Sequence, residues 1–493
     1  MSFSMTKSEY CTARQCPKRL WLRRNRPDLI PAASPCSAAE EGIRIGQLAR
    51  ERFGARAVIP HGSRQEMADA TARLLGEGVC VIAEASFIQD GCFCSVDLLT
   101  HLGNNEVELR EVKSSTEVKD DHLDDAAFQY HVLTRLGYRV RRVFIVHLNR
   151  DYVRRGELEL NALFTEEDVT AAVTDRARLI PGELALLDAM LAQPTEPDTR
   201  FCKHCFKPDL CVFHGHCTAS LPKHNVFQLH GMKVDTQLKL HREGFTSFEA
   251  LRSYSKLSTG ARLQIEHALE PREALIHTDA IREFLSTLSY PLYFLDFESY
   301  QTAIPPFDGI RPYDQIPFQY SLHRIGTEGG ELEHMEFLAE PGTDPRRALA
   351  EQLCRDIPRD VCVTAYNMSF EQTRIRELAA LYPDLAAHLK AIHDHIRDLM
   401  IPFRSKDYYT DDMHGSYSIK LVLPALFPGD PDLDYGNLDG VHRGTEASDT
   451  FRRMASMTPE EQTRWRKSLL AYCHLDTYAM VKIWQKLREA AAD

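Results

Sequence analysis

Apolar residues at positions 45, 48, 49 and 53 fall on one face of a helix over residues 38–53. Beyond it the period shortens. Residues 81–88, 92–99 and 106–113 read as three strands, with Gln89, Asp90 and Gly91 turning the first into the second. A helix over 123–133 and a strand over 141–147 follow. Helical spacing returns over 218–288, in short segments that end at glycines. From 289 onward the chain reads strand (291–299), strand (318–324), strand (332–338), helix (345–357), strand (361–367), a helix opening at Met368, and a last helix carrying 471–478. The order predicts a multidomain α/β protein divided into 1–217, 218–288 and 289–493. Side chains alternate across a strand, so Glu111 shares a side with Lys113, and Asp296 with Glu298.

Composition narrows the classes. A hydrophobic fraction of 43% and a charged fraction of 26% over 493 residues are those of an ordinary globular protein with more than one core. No run of eighteen apolar residues predicts a membrane span, and the N-terminus lacks the apolar segment of a secretory signal. The expected location is the cytoplasm, where the thirteen cysteines stay reduced and metal binding is a better expectation than disulfides. A net charge of -12 counts against a nucleic-acid partner for the surface as a whole. Arginine clusters over 19–26 and 135–154 reverse the sign locally, or serve as a solvated basic face. No phosphate loop of the Gly-x-x-x-x-Gly-Lys-Ser/Thr type is present, so no ATP motor is expected.

The cysteines carry the first candidate chemistry. Cys202, Cys205 and Cys211 are spaced so that a tight turn and a short loop can aim three thiolates at one centre. Cys16 is the expected fourth ligand, with Cys11 and Cys217 as rivals, and zinc or an iron-sulfur cluster would both accept the set. A strand ending in acid (Asp97), a neighbour carrying Glu111-x-Lys113, and a helix bearing Gln129 lie between these cysteines. Two carboxylates could hold a divalent ion, and the ammonium could serve the attacking water or the scissile phosphate.

This arrangement resembles the PD-(D/E)XK nuclease superfamily, in particular its RecB-like branch, which includes CRISPR-associated exonucleases with a four-cysteine iron-sulfur cluster. The resemblance covers roughly residues 10–217. It implies a restriction-endonuclease-like fold, a 4Fe-4S cluster on Cys16, Cys202, Cys205 and Cys211, catalytic Asp97, Glu111 and Lys113 with Mg2+ or Mn2+, and a substrate role for Gln129. Where the family's first helix supplies a further metal ligand, Glu41 is the best match, with Glu40 beside it. Leu133 stands where the family has a tyrosine. The short helices of 218–288 form a helical linker that resembles helix-hairpin-helix modules.

In the last unit Asp296-x-Glu298 lies on the first strand, Asn367-x-x-Phe370-Glu371 after the fourth, and Tyr472-x-x-x-Asp476 on the last helix. Two acids on an apolar strand call for a cation. The pattern resembles the DEDD exonucleases of the ribonuclease-H-like fold. That resemblance implies Asp296, Glu298, Glu371 and Asp476 as ligands of Mg2+ or Mn2+ and Tyr472 as the residue that positions water. Glu371 departs from the family's aspartate, and Asp398 is the reserve ligand. Around Tyr417 and Lys420 the chain is similar to an uncharacterised bacterial family that joins the two kinds of domain; both residues are candidate substrate contacts, with packing and a solvated helix cap as rival roles. The expected function is metal-dependent hydrolysis of nucleic acid, DNA by analogy, with a helicase as a possible partner class. A single active domain, or a non-catalytic scaffold, are the alternatives.

Overall fold

The computed structural model describes residues 4–31, 37–270 and 272–492 of the chain. They form a mixed α/β protein with several sheets and many helices. Two compact units emerge: residues 1–220 with 302–314, and residues 221–301 with 315–493. The first boundary falls three residues past the expected one. The helical segment expected as a separate domain over 218–288 belongs to the second unit, although it closes a small core of its own around Val226, Leu240, Phe248 and Ile265. The excursion over 302–314 belongs to the first unit, a crossing that no sequence pattern announced.

In the first unit, helices α1 (Lys7–Gln15), α2 (Pro17–Asn25), α3 (Ser37–Arg52) and α4 (Arg64–Gly76) precede the sheet. Strands β1 (Val81–Gln89), β2 (Cys92–Gly103) and β3 (Glu106–Val112) form an antiparallel meander. Helix α5 (Asp120–Arg135) then crosses over to β4 (Arg139–Leu148), parallel to β3, and β5 (Phe164–Asp168) closes that side antiparallel. Short strands at Met5–Thr6 and Ala57–Val58 bring the sheet to seven. Asp90 and Gly91, both at positive φ, make the two-residue turn between β1 and β2. Ala126, Phe128, Val132 and Leu133 of α5 are buried in the main core of this unit together with Tyr10, Leu20 and Trp21 of α1 and α2. Leu133, where a tyrosine was expected from the resemblance, is therefore a core residue.

The second unit is built on a five-stranded sheet in the order β8-β7-β6-β9-β10, from β6 (Leu292–Tyr300), β7 (Ile316–Ile325), β8 (Leu332–Leu338), β9 (Cys362–Ala365) and β10 (Ile396–Asp398). The first three strands are antiparallel, and β9 and β10 add in parallel. Helices α6 (Arg346–Asp356), α7 (Ser369–Leu381) and α8 (Ala386–Asp394) cover one face, packing Leu349, Leu353, Ile375 and Leu389 on Tyr293, Leu295 and Phe297. The 34-residue helix α10 (Pro459–Ala492) takes the other face, against Leu292 and Phe294. Even-numbered residues of β6 point at α10, which puts Asp296 and Glu298 beneath it. Helix α9 (Gly444–Met454) lies beside the same strand. No helix among the described residues is long and apolar enough to cross a membrane.

Candidate functional site

Asp296, Glu298 and Asp476 offer carboxylate oxygens that all lie within 4.8 Å of one another. Strand β6 supplies the first two from alternate positions, and α10 supplies the third across the sheet face. Burial pushes the Asp296 carboxyl well above its usual range, and the neighbouring charges of Asp476, Glu298 and Glu371 push it further. Burial, with Asp476 next, lifts Glu298 to about 8. Three acids this close are stable together only with protons or cations between them.

Glu371 enters from the first turn of α7. The turn from β9 into that helix passes through Asn367, which takes a positive φ, and Asn367 N–H donates to Asp398 Oδ1 at 3.0 Å. Glu371 is 2% exposed, its Oε2 has no hydrogen-bond partner, and burial lifts its carboxyl to about 8. A buried, orphaned carboxylate oxygen within electrostatic reach of Asp296 and Glu298 fits a cation ligand. Asp398, the reserve candidate, is instead spent on the backbone: its Oδ1 accepts from Asn367 and Met400 N–H at 3.0 and 3.1 Å.

Lys420 brings a cation to the cluster. Lys420 Nζ lies 3.1 Å from Asp476 Oδ1 and 3.2 Å from the buried Tyr472 hydroxyl, and 3.2 Å from the centroid of the Tyr435 ring. Tyr435 donates its hydroxyl to the same Asp476 oxygen at 2.6 Å. Burial, then the charge of Asp476, raises the Tyr472 phenol above its ordinary value, so it stays protonated as a hydrogen-bond donor. Gly444 brings backbone close to Glu298: a Cβ there would meet Oε2 at 3.5 Å. A cleft of 800 Å³ opens here, lined among others by Lys420, Asp434, Tyr435, His442, Arg443 and Gly444. Tyr435 and Arg443 were missed in the sequence, where nothing distinguishes them from other loop residues. Tyr417 packs edge-on against His230, at 4.9 Å between centroids, so packing describes it better than substrate contact.

The first unit holds a different constellation. Glu111, 3% exposed, accepts from Lys113 Nζ at 2.8 Å and Lys7 Nζ at 2.9 Å through Oε1, and from the Gln129 amide through Oε2. Lys113 also pairs with Asp125, and Lys7 Nζ stands 3.5 Å from it. Asp97 Oδ2 accepts from Val112 N–H at 2.7 Å. Burial raises Asp97 to about 7, helped by Glu111. Burial acts the same way on Glu111, but the two ammoniums win and hold it well below its usual range. Both oxygens of Glu111 are thus engaged, and in this arrangement the residues do not fit a divalent ion. Gln129, expected to touch substrate, is buried and donates to Glu111. The charge of Glu41 is felt at Tyr313, whose hydroxyl donates to the Ser114 carbonyl just past β3. Sequence reasoning missed Lys7 and Asp125; Asp125 sits four residues before Gln129, on the same face of α5, and that spacing could have flagged it.

Of the expected thiols, Cys202 and Cys205 meet. Cys202 and Cys205 flank one tight turn with their sulfurs 3.9 Å apart, and the Cys202 sulfur lies 3.6 Å from the carbonyl of Gln15, next to Cys16. Hydrogen bonding from Cys205 lowers Cys202 to about 6, against burial. Burial raises Cys16, and the Cys202 charge adds to it; Cys217 feels both Cys16 and Cys211. In their chemistry these thiols suit zinc or an iron-sulfur cluster, and Cys217, which feels the charge of Cys16 and Cys211, stays a rival ligand. Cys11 is removed from contention: its thiol lies 3.5 Å from Asp125, in the lysine-carboxylate group.

Fold and sites together define a mixed α/β protein with a buried carboxylate cluster in one unit and a close pair of thiols, Cys202 and Cys205, in the other. Residues 293–418 match a family described as "Domain of unknown function (DUF2779)". No curated protein matches the chain. A solved structure described as "Crystal structure of SSO0001" is 14% identical over 44% of this chain and 87% of that one, with a TM-score of 0.20, too low to carry an argument.

Proposed function

We propose that the chain is a metal-dependent nuclease whose hydrolytic site is the carboxylate cluster of the second unit. The carrying observation is the convergence of Asp296, Glu298 and Asp476 within 4.8 Å, with the buried, unpartnered Glu371 Oε2 on a residue whose charge Asp296 and Glu298 feel. Strand order β8-β7-β6-β9-β10 with the acids on its central strand supports a ribonuclease-H-like, DEDD-type reading of this unit. The meander, crossover helix and following parallel strand of the first unit, with Asp97, Glu111 and Lys113 in place, support a RecB-like PD-(D/E)XK reading of the other.

Asp296, Glu298, Glu371 and Asp476 would hold Mg2+ or Mn2+, which supplies charge neutralisation for the attacked phosphate and activates water. Tyr472 offers a protonated hydroxyl at the edge of the cluster that orients the attacking water. Lys420 places its ammonium beside Tyr472 and Asp476, where it attracts the substrate's phosphate, and Arg443 extends that attraction along the cleft. Single-stranded DNA is the substrate favoured by the family analogy. The cysteines would carry a 4Fe-4S cluster, or zinc, as a clasp between the two ends of the first unit.

The engagement of Glu111 by two ammoniums favours a second reading for the first unit alone, in which it binds nucleic acid without cutting it. Incubating an end-labelled single strand with Mn2+ and the intact protein, Asp296→Asn or Glu111→Gln separates these. The proposal expects cleavage that Asp296→Asn abolishes and Glu111→Gln spares. Cleavage lost only with Glu111→Gln would move the chemistry to the first unit, and none with the intact protein would overturn the nuclease reading for that substrate.

A further inference from the structure

We propose that His323, His334 and His474 form a binding site for a divalent transition-metal ion, zinc by the chemistry of its donors. These residues lie outside the carboxylate cluster, and the inference does not rest on the nuclease reading. Strands β7 and β8 pair His323 directly with His334, and α10 lays His474 over both. One ring nitrogen from each of the three lies within 4.8 Å of the others, and the ring centroids are 4.5 to 4.8 Å apart. Small movements of side chains would bring them to the ~2.0–2.1 Å bonds zinc makes with imidazole.

Each of two imidazoles has its second nitrogen held. Thr477 Oγ1 lies 2.8 Å from His323 Nδ1, Ser321 Oγ lies 2.9 Å from His334 Nε2, and the two hydroxyls are 2.7 Å apart. Hydroxyls that accept these N–H groups leave Nε2 of His323 and Nδ1 of His334 with free lone pairs. Orientation of a ligand histidine through its other nitrogen is a recurring feature of metal sites. Three neutral nitrogen donors suit zinc, copper or nickel, whereas the all-oxygen cluster suits magnesium or manganese, so the two sites select different ions. Three protein ligands leave a fourth position open to water or an exchangeable group. The competing role is packing alone, since His323 and His474 also lie against Tyr478.

The test uses the full chain, stripped with a chelator and re-equilibrated with zinc in excess Mg2+, followed by metal analysis and thermal melting. The cysteines are common to every variant, and any zinc they take cancels in the comparison. The intact protein and Asp296→Asn are expected to hold one more zinc ion per chain than His334→Ala or His474→Ala, and zinc should raise the melting temperature of the first pair by more. Circular dichroism checks folding; should an alanine variant misfold, His334→Gln, which keeps a polar group against Ser321, carries the same expectation. Equal zinc content in the intact protein and the folded histidine variants would overturn the proposal and leave the three rings as packing.

Discussion

Replacing Glu298 by glutamine should stabilise the metal-free protein, increasingly as the pH rises above about 5. Glu298 is 9% exposed and its carboxyl is raised to about 8, chiefly by burial and then by Asp476. In the unfolded chain the same group releases its proton near pH ~4.3. Between these values the folded state holds a proton that the unfolded state has lost, so stability falls as pH rises through this window. No penalty exists below it, and above about pH 8 the penalty is complete. At ~1.4 kcal/mol per unit, the displacement caps the effect at roughly 5 kcal/mol. Allowing about half of that to be relieved as neighbouring carboxylates take up protons, Glu298→Gln should gain ~2 kcal/mol, or about 4–8 °C for a unit of this size. The assay is thermal melting of chelator-treated protein across the pH range. The gap between variant and parent should widen from near zero at about pH 5 to its full size by about pH 8.5, and saturating Mn2+ should reverse its sign because the parent alone gains a full ligand set. A variant that melts below its parent at alkaline pH without metal, or a gap independent of pH, would refute the reasoning.

Tyr472→Phe should slow cleavage by about 10–100-fold while leaving Mn2+ affinity unchanged, because it removes a water-orienting hydroxyl and no metal ligand; parallel loss of Mn2+ binding in calorimetry would assign it a structural role. Lys7→Ala strips Glu111 and Asp125 of a shared cation and should destabilise the first unit by about 3 kcal/mol at neutral pH in chemical denaturation. Since Glu111 is held below its usual range, that difference should shrink as the medium is acidified through the group's folded value, and a difference that grows on acidification would contradict the pairing. Cys202→Ser should lose the thiolate-bound metal, seen by absorbance and metal analysis. Opening the clasp from Cys16, a loop of about 190 residues, should cost up to ~5 kcal/mol and speed proteolysis of the first unit; unchanged metal content would remove Cys202 from the ligand set.

Much of this architecture is legible in the chain. Alternation over 81–113 and 291–338 located both meanders to within a few residues, because one face of each strand is buried and the period of two is enforced. Asp296 and Glu298 were legible because charge on an apolar strand needs a reason, and Asp476 through the Tyr472-x-x-x-Asp476 spacing that resembles the DEDD exonucleases. Other features are not local. Lys7 reaches Glu111 across 104 residues of sequence, and Tyr435 reaches Asp476 across 41, so no window of sequence contains either pair. Asp398 and Glu371 were alternatives in sequence, and only the backbone N–H groups that occupy Asp398 separate them. The histidine group escaped notice for the same reason: its members come from three elements, and only the pairing of β7 with β8 under α10 brings them together.

The most direct test of the central claim follows Mn2+ binding and strand cleavage on the same preparations of intact protein and Asp476→Asn. If the carboxylate cluster is the hydrolytic site, the substitution should abolish cleavage and weaken Mn2+ binding in the second unit together, while the chain stays folded. Cleavage that persists at the parent's rate in Asp476→Asn would contradict the account.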